Sequence, residues 1–438
     1  MRLLQLKRPR VRRIRGRGRD GGSFRAVSRA ARARAVAATL VLALGAILIV
    51  AGPASADTIR DREYWLGSYG FTTAWNTTRG AGVTIAVIDT GIDGSHPDLA
   101  GVVTGGTDVS GVGSANGQTP IGTDSQHGTM VASMLAGHGH GSGAGVIGVA
   151  PAASLLSVSV GFGVGKVSSD DQIAAAVRWS VDHGANIINM SLTRSTLDWP
   201  PSWDAAFLYA MKHNVIVVAA AGNRGSGATE VGAPATIPGV VTVAGVDRNG
   251  KASFDASSQG ITLSVAAPSE DLVGAGPGGG YYQWAGTSGA APIVSGLLAL
   301  IVASHPGISA GNAINRLTAT ATPAGAAIVY GSGLISAAAA VTADVPSVAT
   351  NPADALTEWI RLNRRAESTP VPTSTATISP APVPKLAAAP VSPFGSVLPT
   401  VQSLRDTVLP LLIYAVFIAL SVFLVRGAVR AHKRARRE

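Results

Sequence analysis

The chain of 438 residues contains no cysteine. Disulfide bonds, thiolate nucleophiles and cysteine-ligated metal sites are therefore excluded. A domain of about 280 residues is large enough to bury most of its apolar surface without cross-links. We expect stability to come from an ordinary hydrophobic core.

Acidic residues are nearly absent from the two ends of the chain. Residues 1–35 contain 13 Lys and Arg against one acid, and residues 426–438 contain six against one. The remaining body has 16 basic and 23 acidic residues, so the formal net charge of +10 belongs to the ends. Each basic end adjoins an apolar run, which indicates membrane topology and argues against nucleic acid as a partner.

The N-terminal end has the anatomy of a secretory signal peptide. The basic segment is followed by an apolar run at 36–52 and by an A-x-A site at 54–56. We predict a signal peptide over 1–56 with cleavage after Ala56. An uncleaved signal anchor is the alternative, and either one exports the protein.

A second apolar run predicts one C-terminal transmembrane helix. Residues 408–425 are uncharged, and about 18 helical residues reach about 27 Å, enough to cross the hydrocarbon core. The basic tail at 426–438 places this end in the cytoplasm. Residues 346–407 are rich in Pro, Ser, Thr and Ala and predict a linker. We therefore expect a single-pass cell-membrane protein whose folded domain, 57–345, is extracytoplasmic.

From residue 80, short β-branched runs alternate with helical stretches. This pattern predicts an α/β domain, a three-layer doubly wound and mostly parallel sheet with crossover helices. Predicted strands lie at 83–88, 154–160, 186–191, 215–220 and 240–245. Predicted helices lie at 128–137, 170–183, 202–213 and 288–304. The last helix is apolar all round, so we expect it to be buried.

Four segments carry residues suited to acyl transfer. Ser288 opens the apolar helix, where unpaired backbone N–H groups suit an oxyanion, and His127 opens a helix of small residues. Asp89 and Asn223 follow buried strands, and sites of open α/β sheets form at such strand ends. Singly, these residues could be helix caps, a strand-end cap or a left-handed turn. Together they fill the roles of nucleophile, base, orienting carboxylate and oxyanion donor.

These segments resemble the motifs of the subtilase (subtilisin-like serine protease) family. The matching motifs are DTGID at 89–93, HGT at 127–129, AAAGN at 219–223 and GTSGAAP at 286–292. The resemblance spans roughly 65–345 and implies a subtilisin-like peptidase domain that hydrolyses polypeptides. It implies a catalytic triad and an oxyanion hole at these positions: Asp89, His127 and Ser288, with Asn223. One departure is Gly289, where the family usually carries a larger residue.

The same resemblance implies the walls of the first specificity pocket. The residues concerned are Ser191, Leu192 and Thr193 on one side, and Ala220, Ala221 and Gly222 on the other. Relatives usually carry glycine where Thr193 stands. We therefore expect a narrow mouth that favours a small or slender P1 side chain.

No metal or other cofactor is expected. Asp98 matches a position that ligates calcium in several subtilases, but the partner loop at 137–145 carries no carboxylate or Asn. His138 and His140 lie in a glycine-rich loop without a third ligand. Histidines outside the motifs are expected on loops or helix surfaces: His96, His138, His140, His183 and His213.

The domain order is most similar to that of the mycosins, the membrane-anchored subtilases of actinobacterial type VII secretion systems. The segment YGSGLISAAAAV at 330–341 is also similar to one that mycosins carry. Mycosins usually contain cysteines and a longer loop in the domain, and this chain has neither. The resemblance implies processing of type VII secretion substrates, with subunits of the secretion complex as partners. The alternative is a structural subunit of such a complex whose protease activity is dispensable.

Overall fold

The computed structural model describes residues 57–364, apart from residues 142 and 166. The predicted signal peptide at 1–56, the transmembrane helix at 408–425 and the tail at 426–438 lie outside these residues. So does the part of the predicted linker that follows residue 364. Three short helices precede the sheet: α1 (Asp57–Arg60), α2 (Tyr64–Ser68) and α3 (Phe71–Ala74).

Seven strands form one parallel sheet in the order β2-β3-β1-β4-β5-β6-β7. They are β1 (Thr84–Asp89), β2 (Val103–Asp108), β3 (Ser154–Ser159), β4 (Ile187–Met190), β5 (Ile216–Ala220), β6 (Val241–Val246) and β7 (Leu263–Pro268). A separate antiparallel hairpin consists of β8 (Leu272–Gly276) and β9 (Gly280–Trp284). The predicted α/β fold class is confirmed.

The five predicted strands are the middle of this sheet, and both edge strands were missed. β2 contains two glycines and β7 ends in proline, so neither shows a strong strand pattern. Edge strands tolerate such residues because only one side of each is paired. The hairpin was missed as well, because its glycine-rich turn at 276–280 interrupts the apolar pattern.

Helices cover the sheet. The longer ones are α4 (His127–Ala136), α5 (Ser169–Asp182), α6 (Pro201–Lys212), α7 (Thr287–Ser304) and α8 (Ala310–Ala319). The C-terminal ones are α9 (Ala327–Tyr330), α10 (Ala337–Thr342) and α11 (Pro352–Asn363). α4 packs against α7, and α5 packs against α6. The four helices predicted from sequence correspond to α4, α5, α6 and α7, each within one residue at either end.

α7 is the core helix of the domain. Within residues 57–364 it is the one helix long and apolar enough to cross a membrane by length and composition, yet 78% of it is buried in the protein. It packs against β4, β5, β6 and β7. Packing against these four strands fixes the position of α7. The position of its first turn, and therefore of Ser288, thus depends on the whole core.

α11 extends the folded domain beyond residue 345. The ring of Trp359 lies 4.2 Å from that of Trp199, centroid to centroid, and Arg364 donates to Asp204 at 2.8 Å. The chain therefore follows the surface of the domain as far as residue 364. The described part of the predicted linker is thus anchored on α6.

Candidate active site

Asp89 and His127 form a hydrogen-bonded pair at the carboxyl end of β1. The Nδ1 atom of His127 lies 2.8 Å from Oδ1 and 3.0 Å from Oδ2 of Asp89. Asp89 is only 3% exposed, and its carboxylate also accepts from the Thr90 N–H. The pairing fixes the orientation of the imidazole and leaves Nε2 as the ring nitrogen for proton transfer.

The surroundings of His127 favour the protonated form of its imidazole. Burial alone lowers the pKa of His127, but the charge and the hydrogen bond of Asp89 outweigh burial, and Asp124 adds a smaller contribution. The pKa is therefore raised above its ordinary value. The site stabilises an imidazolium ion, the form that a general base adopts in the transition state.

Ser288 is the second residue of α7 and is bonded to Ser191 in two directions. Its hydroxyl donates to the carbonyl oxygen of Ser191 at 3.1 Å, and the Ser191 hydroxyl donates to the Ser288 carbonyl oxygen at 2.8 Å. Among the described residues no hydrogen bond joins Ser288 Oγ to His127. The hydroxyl must rotate about χ1 to donate to Nε2, and catalytic hydrogen bonds often tighten only once substrate is bound.

Trp284 lies close both to His127 and to the residue that follows Ser288. Its ring stands edge-on to the ring of His127, 5.7 Å away between centroids. The same ring lies 3.3 Å from a Cβ placed on Gly289, the residue after Ser288. Sequence reasoning missed Trp284 because the hairpin that carries it was not recognised.

Asn223 is held by Thr287, the residue before Ser288. Its Oδ1 atom accepts from the N–H of Thr287 at 2.8 Å and from the Thr287 hydroxyl at 2.9 Å. A Cβ placed on Gly286, whose φ is +143°, would lie 2.8 Å from Nδ2 of Asn223. The Nδ2 hydrogens are thus the donors left to the side chain, and Nδ2 lies beside Gly286, two residues before Ser288. The backbone of Asn223 is extended, so the left-handed-turn alternative is wrong.

The six predicted pocket residues contribute unequally. Thr193 and Gly222 face each other, since a Cβ on Gly222 would lie 3.3 Å from Cγ2 of Thr193. Ala220 and Ala221 are at most 1% exposed, so their side chains belong to the core. Leu192 is half-buried and lines a cavity beside His127.

A buried polar chain supports Ser191 from below. Ser295 of α7 donates to Oδ1 of Asn189 at 2.9 Å, and Asn189 donates to the Ser191 hydroxyl at 3.0 Å. Sequence reasoning did not single out Asn189 or Ser295. The signal was present, because an amide inside an apolar strand requires hydrogen-bond partners.

Asp98 is completely buried and surrounded by hydrogen-bond donors. It accepts from Val146 N–H at 2.8 Å and from the Tyr281 hydroxyl at 3.0 Å, and Nδ1 of His140 lies 2.5 Å from Oδ1. Calcium requires six to eight oxygen ligands, so this donor set does not fit calcium. The described residues contain no group of three or more His, Asp or Glu side chains that could hold a metal.

His96 lies in a loop, one of the two placements expected for it, but the loop buries it. It is 1% exposed, and its Nδ1 accepts from the N–H of Asp98. His96 is the N-cap of the short 3₁₀ turn that carries Asp98, and this hydrogen bond fixes its ring inside the protein.

Comparison with known proteins agrees with this geometry. The subtilase family model (peptidase S8) matches residues 80–341. Subtilisin DY of Bacillus licheniformis is 39% identical over 270 residues, which are 60% of this chain and 92% of that protein.

Two similar solved structures are mycosins. The serine protease MycP1, described as an essential component of the type VII (ESX-1) secretion system, has a TM-score of 0.57 and 32% identity, over 66% of this chain and 90% of MycP1. The MycP3 protease of the type VII (ESX-3) secretion system has a TM-score of 0.54 and 29% identity, over 64% of this chain and 88% of MycP3. The predicted family resemblance is confirmed: the chain belongs to the subtilase family of serine endopeptidases.

Proposed function

We propose that this protein is a membrane-anchored, extracytoplasmic serine endopeptidase with Asp89, His127 and Ser288 as its triad. The observation that carries the proposal is the Asp89–His127 pair, in which a buried carboxylate bonds Nδ1 at 2.8 Å. The position of Ser288 also supports it: the residue lies in the first turn of α7, and its neighbours Gly289 and Thr287 contact Trp284 and Asn223. The charge and topology of the two chain ends support the membrane location.

The reaction follows from the atoms in place. The Ser288 hydroxyl turns from the Ser191 carbonyl oxygen to Nε2 of His127. Nε2 takes the hydroxyl proton as Oγ attacks the scissile carbonyl carbon. Asn223 Nδ2 and the N–H of Ser288 donate to the oxyanion. The tetrahedral intermediate collapses, the C–N bond breaks, and His127 gives its proton to the leaving amine. A water molecule then attacks the acyl-enzyme carbonyl carbon while His127 takes its proton. The ester bond to Oγ breaks, and His127 returns the proton to Ser288.

The substrate backbone lies along residues 191–193 in this proposal. The P1 side chain enters between 191–193 and 220–222, where Thr193 faces Gly222. The gap suits a small or slender P1 side chain, because the threonine methyl group occupies volume that glycine would leave open.

The physiological substrates are proposed to be proteins handled by a type VII secretion system. This step rests on the similarity to MycP1 and MycP3 and on the resemblance of the whole domain order. Residues 408–425 would hold the protease at the membrane, with 426–438 in the cytoplasm.

Active-site labelling tests the catalytic assignment. Membranes containing the full chain, as wild type or Ser288→Ala, are treated with a fluorophosphonate probe and assayed for peptide hydrolysis. We expect label and turnover in wild type and neither in Ser288→Ala. Ser304→Ala, at the other end of α7, is the matched control and should retain both. Turnover by purified Ser288→Ala would overturn the triad.

The second candidate function is a structural subunit of a secretion complex. It is favoured by the description of MycP1 as an essential component of its system, which states a requirement for the protein and not for its activity. Complementation of a deletion strain with Ser288→Ala separates the two. Restored secretion by the inactive protein would assign a structural role; no restoration would assign the requirement to proteolysis.

A further inference from the structure

A cavity of about 330 Å³ opens beside His127; residues 191–193 line it, and residues 220–222 are not part of its lining. The large apolar side chains that line it are Ile121, Val160, Phe162 and Leu192. Two carboxylates also line it, Asp89 and Asp124.

The two carboxylates differ in what they can still bind. Asp89 is buried and engaged by His127 and Thr90. Asp124 lies in the turn before α4, where its carbonyl oxygen accepts from the N–H of His127 at 2.9 Å, and its side chain is exposed. Within the described residues the Asp124 carboxylate makes no ion pair and no side-chain hydrogen bond. It is the carboxylate of this cavity with acceptor capacity to spare.

The geometry of an extended peptide decides which substrate residue meets Asp124. Successive side chains of an extended chain point to opposite faces. If the P1 side chain enters between 191–193 and 220–222, the P2 side chain points the opposite way, and the cavity beside His127 is the space that would receive it. A lysine or arginine there would lay its methylene stem on apolar surface and keep its charged end near the carboxylate.

We propose that Asp124 is a specificity-determining residue that selects Lys or Arg at P2, the second residue before the scissile bond. The proposal rests on the proposed triad and on the proposed direction of P1. It names the substrate class of the same site, peptides with a basic residue at P2. A purely electrostatic action of Asp124 on His127 would change the titration of the imidazole for every substrate alike, and would not distinguish substrates by their P2 charge.

Matched quenched peptides test the selection. The set differs only at P2, with lysine, norleucine or glutamate, and is assayed on the full chain in detergent micelles. For wild type we expect kcat/KM to fall in the order Lys, norleucine, Glu. The Lys-to-norleucine ratio should be about three- to fivefold, as for a solvent-exposed ion pair, and smaller at high salt. A lysine moved to P3 should give no such gain, because that side chain points away from the cavity.

Variants assign the effect to one side chain. Asp124→Asn should reduce the Lys-to-norleucine ratio to about one, and Asp124→Lys should invert the preference toward glutamate. Asp344→Asn removes an exposed carboxylate outside the cavity and should keep the wild-type ratio. A ratio that survives in Asp124→Asn, or a wild-type preference for norleucine over lysine, would overturn the proposal while fluorophosphonate labelling continues. Absence of both labelling and hydrolysis in wild type would overturn the proposed function, and this selection with it.

Discussion

Leu272 occupies the space that a side chain on Gly289 would need. A Cβ placed on Gly289 would lie 2.2 Å from Cδ1 of Leu272, and Leu272 is fully buried in the hairpin. Trp284 of the same hairpin approaches to 3.3 Å. Gly289, the residue after Ser288, is thus matched by hairpin side chains that fill the volume a larger residue would occupy.

Gly289→Ala should therefore destabilise the domain by about 1–3 kcal/mol, because overpacking forces neighbours from their rotamers. Leu272→Ala alone should destabilise it by about 2–5 kcal/mol by leaving a cavity. In the double variant the alanine methyl group partly fills that cavity, so the loss should be smaller than the sum. Urea unfolding of the three variants measures this coupling, and strictly additive values would contradict the packing relationship.

The pH dependence of hydrolysis should report His127. Only neutral imidazole accepts the Ser288 proton, so kcat/KM should rise as pH increases through the pKa of His127, which Asp89 and its hydrogen bond raise above 6.5. The acidic limb of the profile should have its midpoint above 6.5 in wild type. Asp124→Asn should move that midpoint to lower pH, because one nearby negative charge is lost. A midpoint at or below 6.5 in wild type would contradict the electrostatic account.

The pair also links folding to pH. A raised histidine pKa stabilises the folded state fully below the unfolded-state pKa, and this contribution is lost as pH rises through the folded-state pKa.

Removal of the oxyanion donor should slow the chemical step. Asn223→Ala should lower kcat by about 10²–10³, the range measured when such a donor is removed from subtilisin itself. KM should change little, since the hydrogen bond strengthens only as charge develops on the substrate oxygen. Thr287→Ser keeps the N–H and the hydroxyl that hold Oδ1 of Asn223 and is the control. An unchanged kcat in Asn223→Ala would remove this residue from the oxyanion hole.

The width of the P1 pocket should depend on Thr193. Thr193→Gly removes the methyl group that faces Gly222 and should raise kcat/KM for large P1 residues, such as phenylalanine or leucine, relative to alanine. About tenfold is the scale expected for one or two methylene groups of added room. A series of peptides that differ only at P1 gives the ratio. The same ratio in Thr193→Gly and wild type would show that another residue sets P1 selectivity.

The predicted topology can be checked by truncation and proteolysis. Removal of residues 408–438 should release an active protease from the membrane, because the predicted span is lost while the domain remains. Protease added outside spheroplasts should cut the chain between residue 364 and the span, leaving a stub with a protected C-terminal tag. Digestion of the tag from outside with a shielded catalytic domain would reverse the orientation.

The sequence by itself determined the family, the central strands and the order Asp89, His127, Ser288. These features are local: β-branched runs, capping turns and short motifs are written in neighbouring residues. Charge at the two chain ends likewise predicts topology without any tertiary information.

Only the tertiary structure decided how these residues meet. The Ser288 hydroxyl rests on Ser191, 97 positions earlier in the chain, and Asp98 is enclosed by donors from residues 140, 146 and 281. The exposed carboxylate of Asp124 and the fit of Gly289 under Leu272 also depend on packed elements. Local periodicity cannot encode such contacts, because each depends on side-chain volume and hydrogen bonding between segments that approach only when the core closes.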